Sequence, residues 1–321
     1  MLRVTKTGRA AAVATGLALL LAACGGDDAG ADNGSDGGGS DLSGTIQIDG
    51  SSTVAPLSEA AAELFQEENS GVNVVVGTSG TGGGFEKFCA GETDISDASR
   101  PIKDEEAAIC ESNGIAFEEI TVANDGIAIV VNPENDWAEC LTVEQLNKIW
   151  GPESTVKSWK DVDPSFPDEP LTLFGPGTDS GTFDYFTDEI NGEEGASRTD
   201  YQPSEDDNVI VQGVQGSKGA MGYFGLSYVE ENEGAVKAIE VDGGDGCVAP
   251  STETVLDGTY KPLGRPLFIY PSDKALERPE VQAFLDFYIE NSDDIAEQAL
   301  YVPLSDEQRE EAKSKIESLV S

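Results

Sequence analysis

The stretch LTLFGPGTDSGTFDYFTDEI, residues 171–190, contains a strand, a turn and a helix in succession. Its first four residues are typical of a short buried strand, and a turn of small polar residues follows. Phe183, Phe186 and Ile190 then recur at helical spacing and predict one buried stripe. The turn therefore joins the carboxyl end of a strand to the amino end of a helix.

Two other stretches repeat this plan. Residues 45–65, TIQIDGSSTVAPLSEAAAELF, join a strand to a helix through a Gly/Ser/Thr turn, with Pro56 near the first helical position. Residues 72–92, VNVVVGTSGTGGGFEKFCAGE, do the same, and Phe85, Phe88 and Cys89 form the helical stripe. Further strands are predicted at 126–131 and 266–270, and further helices at 281–290, 293–300 and 305–320. The pattern predicts an α/β fold with a largely parallel sheet.

The three turns share a chemistry that suits anions. The first turn of a helix has unpaired N–H donors and a partial positive charge. Glycines allow the backbone to approach an anion closely, and Ser and Thr hydroxyls add neutral donors. Ligands of open α/β sheets bind at this edge, so three such turns could converge on one small oxyanion. The alternative for each single turn is ordinary N-capping, which prefers the same residues.

The N-terminus indicates export. Residues 1–23 combine three basic residues with a short apolar run and predict a signal peptide. Cys24 follows the small-residue cleavage site and is the expected lipid anchor, although a plain secretory signal is the alternative. Residues 24–41 are almost entirely Gly, Ser, Asp, Asn and Ala, which predicts a flexible tether. The protein is thus expected outside the cytoplasm and lipid-anchored to the cell membrane.

The remaining chain is long enough for two lobes. Residues 132–137 follow a strand and residues 264–266 precede one, so both segments are candidate crossings between lobes. We therefore predict a lobe 1 formed by 42–131 plus 265–321, and a lobe 2 formed by 132–264.

Charge and histidine content exclude several functions. The chain carries 19 Lys and Arg against 61 Asp and Glu, a formal charge of −42, and loss of the signal peptide brings this to about −45. Such acidity argues against nucleic acid and against an anionic membrane surface as partners. The chain has no histidine, so no Ser-His-Asp triad, Cys-His pair or His-ligated metal can form. No cofactor or metal is expected.

Four cysteines remain after the anchor, an even number that suggests two disulfides in an exported protein. Three pairings are possible. One disulfide per lobe favours Cys89–Cys110 and Cys140–Cys247.

Five blocks in the chain resemble the phosphate-binding (PstS/SphX-type) substrate-binding proteins of ABC importers. They are DGSSTVAPL, GTSGTGGGFEKF, TDISDASR, GPGTDSGTFDYFTDEINGEEGASR and EDDNVIVQGVQGSKGAMGYFG, in family order over most of 44–300. The resemblance implies the two-lobed type II periplasmic binding protein fold, with a mixed, mostly parallel sheet in each lobe and the ligand between the lobes. It also implies a monomer that delivers phosphate to permease subunits and performs no chemistry.

The resemblance carries ligand roles to specific positions. It implies hydroxyl donors at Thr53 and Ser79, and a backbone donor at Val54. In the third turn it implies Ser180, Gly181 and Thr182. Ser52 and Gly80 are expected as neighbours of the ligand.

Two departures from the family leave the preferred anion open. Where the family has an aspartate that accepts the proton of hydrogen phosphate, we place Arg100, and where it has an arginine before the third turn, Pro176 stands. We expect Arg100 to be the charged partner, with Arg198 a weaker candidate. Asp97 or Asp179 could supply the carboxylate; without one, the same fold could bind sulfate or molybdate. A remote alternative is a hydrolase with Ser180 as nucleophile and Lys218 as base.

Overall fold

The computed structural model describes residues 42–178, 180–232 and 234–320. The predicted signal peptide, Cys24 and the tether lie outside these residues, as does Asp179. The strands are β1 (Gly44–Gly50), β2 (Val72–Gly77), β3 (Ile95–Ala98), β4 (Ile120–Val131), β5 (Cys140–Thr142), β6 (Thr172–Pro176), β7 (Gln202–Ser204), β8 (Ala220–Gly225), β9 (Lys237–Ala238), β10 (Glu240–Asp242), β11 (Cys247–Val248) and β12 (Gly264–Pro271).

Helices alternate with these strands. They are α1 (Ala55–Glu68), α2 (Gly80–Cys89), α3 (Asp104–Ser112), α4 (Val143–Trp150), α5 (Trp159–Val162), α6 (Gly181–Asn191), α7 (Asp207–Gln215), α8 (Leu226–Glu231), α9 (Thr252–Leu256), α10 (Pro279–Glu290), α11 (Ser292–Gln298) and α12 (Asp306–Val320). All three predicted strand-turn-helix units are confirmed. Ser305 and Gln308 form a capping box at the start of α12, with the two side chains bonded to each other's backbone N–H at 3.0 and 3.2 Å.

The main sheet has the order β2-β1-β3-β12-β4-β8-β6-β7, and β9 pairs with β4. Its outer pairs, β1 with β2 and β3 and β6 with β7 and β8, are parallel. The two middle strands β4 and β12 run antiparallel to their neighbours. The sheet is therefore mixed, with a parallel part on each side of an antiparallel centre.

The hydrophobic core divides along the same line. Residues within 46–123 and 267–316 form two clusters on one side, and residues within 127–263 form a third with Val302. This division fits two lobes joined through β4 and β12. The side chains of residues 127–131 pack in the cluster formed by residues within 127–263, although the predicted boundary assigns them to lobe 1. The lobe boundaries themselves remain predictions.

Strand β4 is longer than the sequence predicted. We expected it to begin at Gly126, because Asn124 and Asp125 interrupt the apolar run, but it begins at Ile120. Both polar side chains are buried with partners from distant segments: Asn124 hydrogen-bonds Gln308 at 3.1 Å, and Asp125 lies opposite Arg265 across the ladder. Tertiary contacts thus decide the start of this strand.

The four cysteines pair as Cys89–Cys110 and Cys140–Cys247. These are the two pairs favoured by the sequence. The first links α2 to α3, and the second links β5 to β11. Among the described residues, no helix is long and apolar enough to cross a membrane.

Candidate anion-binding site

A cavity of about 420 Å³ lies between the first two turns and helix α6. Hydroxyl groups, glycines and charged side chains dominate its wall. The lining residues are Ser51, Ser52, Thr53, Ser79, Gly80, Thr81, Gly82, Ser99, Arg100, Lys103, Asp184, Tyr185, Asp188, Glu189, Glu194 and Arg265. The turns after β1 and β2 and helix α6 thus converge on one cavity, whereas the described residues of the third turn, which we expected there as well, do not line it.

Two hydrogen bonds with residues distant in sequence hold the backbone of the first turn in place. The Ser51 N–H donates to the Asp97 carbonyl at 2.9 Å, and the Tyr301 hydroxyl donates to the Thr53 carbonyl at 2.8 Å. Ser52 and Thr53 line the cavity as expected. Val54 is fully buried and its N–H donates to the Ser51 carbonyl at 3.2 Å, so the donor that we expected for the anion is used within the turn.

The second turn opens directly onto the cavity. No side chain among the described residues caps the amino end of α2, and Gly80 begins it with a φ of 78°. The first N–H groups of this helix are therefore available to a ligand at the positive end of its dipole. Ser79 lies in the wall, but its hydroxyl donates to the Asp49 carboxylate, which also accepts from the Ser79 N–H at 3.1 Å. The hydroxyl proton of Ser79 is therefore already used in this hydrogen bond, and the side chain orients the turn.

The third turn packs against the first. A Cβ added to Gly181 would lie 2.7 Å from the Thr53 hydroxyl oxygen and 3.0 Å from its Cα, so only glycine allows this approach. Ser180 is the N-cap of α6 and accepts from the Thr182 N–H at 3.2 Å. Ordinary capping therefore accounts for the Ser180 oxygen, and the ligand roles of Ser180 and Thr182 stay predictions. Farther along α6, Asp184 and Tyr185 line the cavity instead.

Arg100 is in the wall, but a carboxylate already neutralises it. Its two terminal nitrogens donate to the two carboxylate oxygens of Glu106 at 2.9 and 2.8 Å. This fork is the same bidentate geometry that an arginine offers to an oxyanion. The hydrogen bond to Glu106 raises the pKa of Arg100, so the pair is firmly ionic.

Arg265 is the cation that sequence reasoning missed. It stands opposite Asp125 in the antiparallel pairing of β12 with β4, and the guanidinium reaches to 3.6 Å from that carboxylate. One terminal nitrogen donates to the Ser99 carbonyl at 2.9 Å, and the other lies 3.5 Å from the Thr53 hydroxyl. The Nε atom is buried and has no hydrogen-bond partner within the described part of the chain. Arg265 therefore combines a fixed position with unused donor capacity.

A signal for Arg265 was present in the sequence. Residues 264–266 are a predicted crossing between lobes, and a cleft between lobes lies over such crossings. A charged residue at that point is therefore a candidate ligand. The family resemblance points to the turns and to Arg100 instead. Ser99, Thr81 and Lys103 were missed in the same way.

Four acids face these cations in the cavity wall. Asp184 is partly buried, whereas Asp188, Glu189 and Glu194 are exposed. Burial and the nearby charge of Glu194 raise the pKa of Asp184 to about 6, while the Ser52 hydroxyl and Arg265 act in the opposite direction. With three cations and four acids, the wall offers an anion no net positive charge.

Two other predicted candidates, Asp97 and Arg198, lie outside the wall. Asp97 is fully buried, and its carboxylate accepts from the Ser58 hydroxyl at 2.9 Å on the core side of β3, so it is not the acceptor that we considered. Arg198 is buried in lobe 2 and pairs with Asp200 at 2.6 Å. Asp179 lies outside the described residues. Among the four acids of the wall, Asp184 is the partly buried one.

The chain matches a known protein family over most of its length. A family model described as PBP superfamily domain matches residues 35–292. The chain belongs to this family. It is 49% identical over 271 residues to protein SphX of Synechocystis, covering 84% of this chain and 81% of that protein. It is 40% identical over 309 residues to the phosphate-binding protein PstS of Staphylococcus saprophyticus, covering 96% of this chain and 93% of that protein.

Solved structures give the same result for the fold. A possible phosphate-binding protein from Planctomyces limnophilus superposes with a TM-score of 0.84 at 47% identity, covering 87% of this chain and all of that one. A putative phosphate ABC transporter substrate-binding protein from Clostridium perfringens, solved with bound phosphate, superposes with a TM-score of 0.56 at 28% identity. It covers 82% of this chain and all of that one. The fold is therefore the two-lobed periplasmic binding protein fold implied by the sequence.

Proposed function

We propose that this protein captures inorganic phosphate outside the cytoplasm and delivers it to an ABC importer. The observation that carries the proposal is the convergence of the first and second turns, α6 and Arg265 on one small polar cavity. A phosphate ion needs many hydrogen-bond donors around a compact space. Relatives at 40–49% identity that bear the names SphX and phosphate-binding protein PstS support the choice of anion.

The ligand set that we propose has Arg265 at its centre. The guanidinium supplies the charge-assisted bonds, and the uncapped N–H groups of α2 supply neutral donors. Ser52, Thr53 and the Gly80 backbone complete the first two turns. Because Arg100 is paired with Glu106, its charge is compensated, and we assign it little part in binding the anion.

Attachment and partners remain part of the proposal. A lipid on Cys24, followed by the tether, would hold the binding domain near permease subunits in the same membrane, and a monomer suffices for this role. The acidic surface does not prevent anion capture, because dipoles within a few Å of the ligand act where distant surface charges are screened.

The hydrolase alternative receives no support from the geometry. The Ser180 oxygen caps α6, and Lys218 pairs with Asp136 at 3.3 Å, over the ring of Trp137. Sulfate or molybdate binding by the same cavity is the remaining alternative. The four acids of the cavity wall would influence how strongly such an anion binds.

Titration calorimetry with phosphate, arsenate and sulfate tests the proposed function. We expect tight phosphate binding, arsenate binding within about tenfold of it because the two anions share shape and protonation, and much weaker sulfate binding. Sulfate affinity equal to that of phosphate would contradict a phosphate-specific function. Absence of phosphate binding would overturn the proposal.

A further inference from the structure

Thr53 is a point of the cavity wall that three elements share. It lines the cavity in the first turn. Its hydroxyl oxygen lies 3.5 Å from a terminal nitrogen of Arg265 on β12 and 3.5 Å from the Gly181 carbonyl oxygen at the start of α6. A shift of the Thr53 backbone would therefore disturb the first turn, the Arg265 guanidinium and the packing of α6 together.

The backbone carbonyl of Thr53 has to point away from an anion, because a carbonyl oxygen carries partial negative charge. It accepts a hydrogen bond from the Tyr301 hydroxyl at 2.8 Å. Tyr301 packs against the hydrophobic cluster that includes α1, and it does not line the cavity itself. The hydroxyl thus holds the Thr53 carbonyl from behind the cavity wall.

We infer that Tyr301 is a positioning residue of the anion site, which fixes Thr53 so that the Thr53 hydroxyl faces the ligand. The inference rests on the proposed function and adds a residue outside the cavity wall. Burial raises the pKa of Tyr301, so its hydroxyl keeps the proton that it donates. Because Tyr301 lies 248 positions after Thr53, only the tertiary structure brings the two together.

A strained turn directs Tyr301 toward the site. Leu300 has a φ of 61° and is the one non-glycine residue with a positive φ in the described part of the chain. It follows α11 in a Schellman pattern: the Leu300 N–H donates to the Glu297 carbonyl at 3.2 Å, and the Tyr301 N–H donates to the Ala296 carbonyl at 2.9 Å. Glycine is the usual residue at this position, because a left-handed conformation is unfavourable for leucine. Such strain persists where surrounding contacts impose it, and it is common at ligand sites.

The residue after Tyr301 ties the same segment to β4. The Val302 N–H donates to the Asn124 carbonyl at 2.9 Å, and the Asn124 N–H donates to the Val302 carbonyl at 2.8 Å. Asn124 precedes Asp125, whose carboxylate lies 3.6 Å from the Arg265 guanidinium. One short segment therefore supports the first turn and also the strand that holds the Arg265 guanidinium.

The first test compares Tyr301→Phe with Tyr260→Phe. The Tyr260 hydroxyl also donates to a backbone carbonyl, that of Ile127 at 2.9 Å, and Tyr260 is fully buried outside the cavity wall. Each variant loses one hydrogen bond, so chemical denaturation should show comparable losses of stability. In titration calorimetry we expect phosphate binding about tenfold weaker for Tyr301→Phe and within about threefold of the wild type for Tyr260→Phe. Equal phosphate affinities in the two variants would show a purely structural role for Tyr301 and overturn the inference.

A double-mutant cycle tests whether Tyr301 acts through Thr53. Thr53→Val keeps the shape of the side chain and removes the hydroxyl that we propose as a ligand. If Tyr301 orients that hydroxyl, Tyr301→Phe should weaken phosphate binding by less than about threefold in the Thr53→Val background, against about tenfold in the wild type. Losses that multiply in full would show that the two side chains act independently, and they would overturn the inference.

The outcomes separate this inference from the proposed function. If the wild type binds phosphate and Tyr301→Phe binds it equally well, phosphate capture stands and the role of Tyr301 is overturned. If the wild type binds no phosphate, the proposed function fails, and the role of Tyr301 fails with it. Weaker phosphate binding by Tyr301→Phe but not by Tyr260→Phe, together with coupling to Thr53, supports both.

Discussion

The guanidinium of Arg265, on strand β12, lies 3.3 Å from the centroid of the Tyr185 ring on α6, so the cation is stacked on an aromatic side chain. Asp125 fixes the other side of the same guanidinium from β4. Arg265 is therefore held by β4 and α6 in the wall of the cavity. A ligand between the lobes would meet a charge whose position is already set.

Replacement of Arg265 should weaken phosphate binding strongly. Charge-assisted hydrogen bonds contribute about 1.5–3 kcal/mol each, so Arg265→Ala should bind roughly 10- to 100-fold more weakly. Arg265→Lys should recover little, because an ammonium cannot reproduce the planar fork or the stacking on Tyr185. Calorimetry checks both, with Arg309→Ala as control, since Arg309 pairs with Asp293 away from the cavity. An Arg265→Ala affinity within threefold of wild type would remove Arg265 from the ligand set.

Replacement of Arg100 should have a smaller effect. Because Glu106 occupies both terminal nitrogens, we expect Arg100→Ala to change phosphate affinity by less than about threefold. Glu106→Gln should instead strengthen phosphate binding by a few-fold, because it leaves the Arg100 charge uncompensated beside the cavity. A loss for Arg100→Ala as large as that for Arg265→Ala would restore our first hypothesis from the sequence.

Glycine at 181 should be required for binding rather than for folding. A Cβ at this position would meet the Thr53 backbone at 3.0 Å and would push the third turn from the first. We expect Gly181→Ala to bind phosphate about tenfold more weakly while its melting temperature changes little. Gly225→Ala is the matched control, since its added Cβ meets nothing within 4 Å and its φ is −57°. Equal phosphate affinity in the two variants would show that close packing of the turns is dispensable.

Asp97 should make the fold less stable as the pH rises. Burial raises its pKa from 3.8 to about 7, so the folded state holds this proton more tightly than the unfolded state. The proton on Asp97 stabilises the folded state fully below about pH 4, and this stabilisation is lost as the pH rises to about 7. The loss is at most about 1.4 kcal/mol for each unit by which the folded and unfolded pKa values differ.

Chemical denaturation at pH 5 and pH 8 tests this. The wild type should lose stability relative to Asp97→Asn between these values by a few kcal/mol. Asp168→Asn, which replaces an exposed loop aspartate, should follow the wild type. Parallel curves for the wild type and Asp97→Asn would show that Asp97 does not titrate between these values.

The two disulfides should contribute unequally to stability. In the chain-entropy model, the Cys140–Cys247 link, with a sequence separation of 107, contributes about 4.8 kcal/mol, and Cys89–Cys110, with a separation of 21, about 3.3 kcal/mol. Peptide mapping of the non-reduced protein should recover these two pairs. Denaturation of Cys140→Ser/Cys247→Ser should then show the larger loss expected for the long loop, and an unchanged midpoint would contradict it.

Much of the architecture followed from local patterns. The three strand-turn-helix units could be predicted because apolar periodicity and small polar turns are properties of short segments. The even cysteine count indicated disulfides for the same kind of reason. The start of β4 could not be predicted, because Asn124 and Asp125 are acceptable in a buried strand only when Gln308 and Arg265 satisfy them.

The sequence by itself determined the three strand-turn-helix units, and it predicts that an anion is held beside them, because an α/β arrangement brings such turns to one edge of a sheet. It also excluded histidine chemistry. Only the tertiary structure decided which charges face that space. Antiparallel pairing of β12 with β4 places Arg265 beside Asp125, and helix α3 places Glu106 where it forms an ion pair with Arg100. Long-range pairing assigns charged side chains to partners far apart in the chain, and no local pattern records that choice.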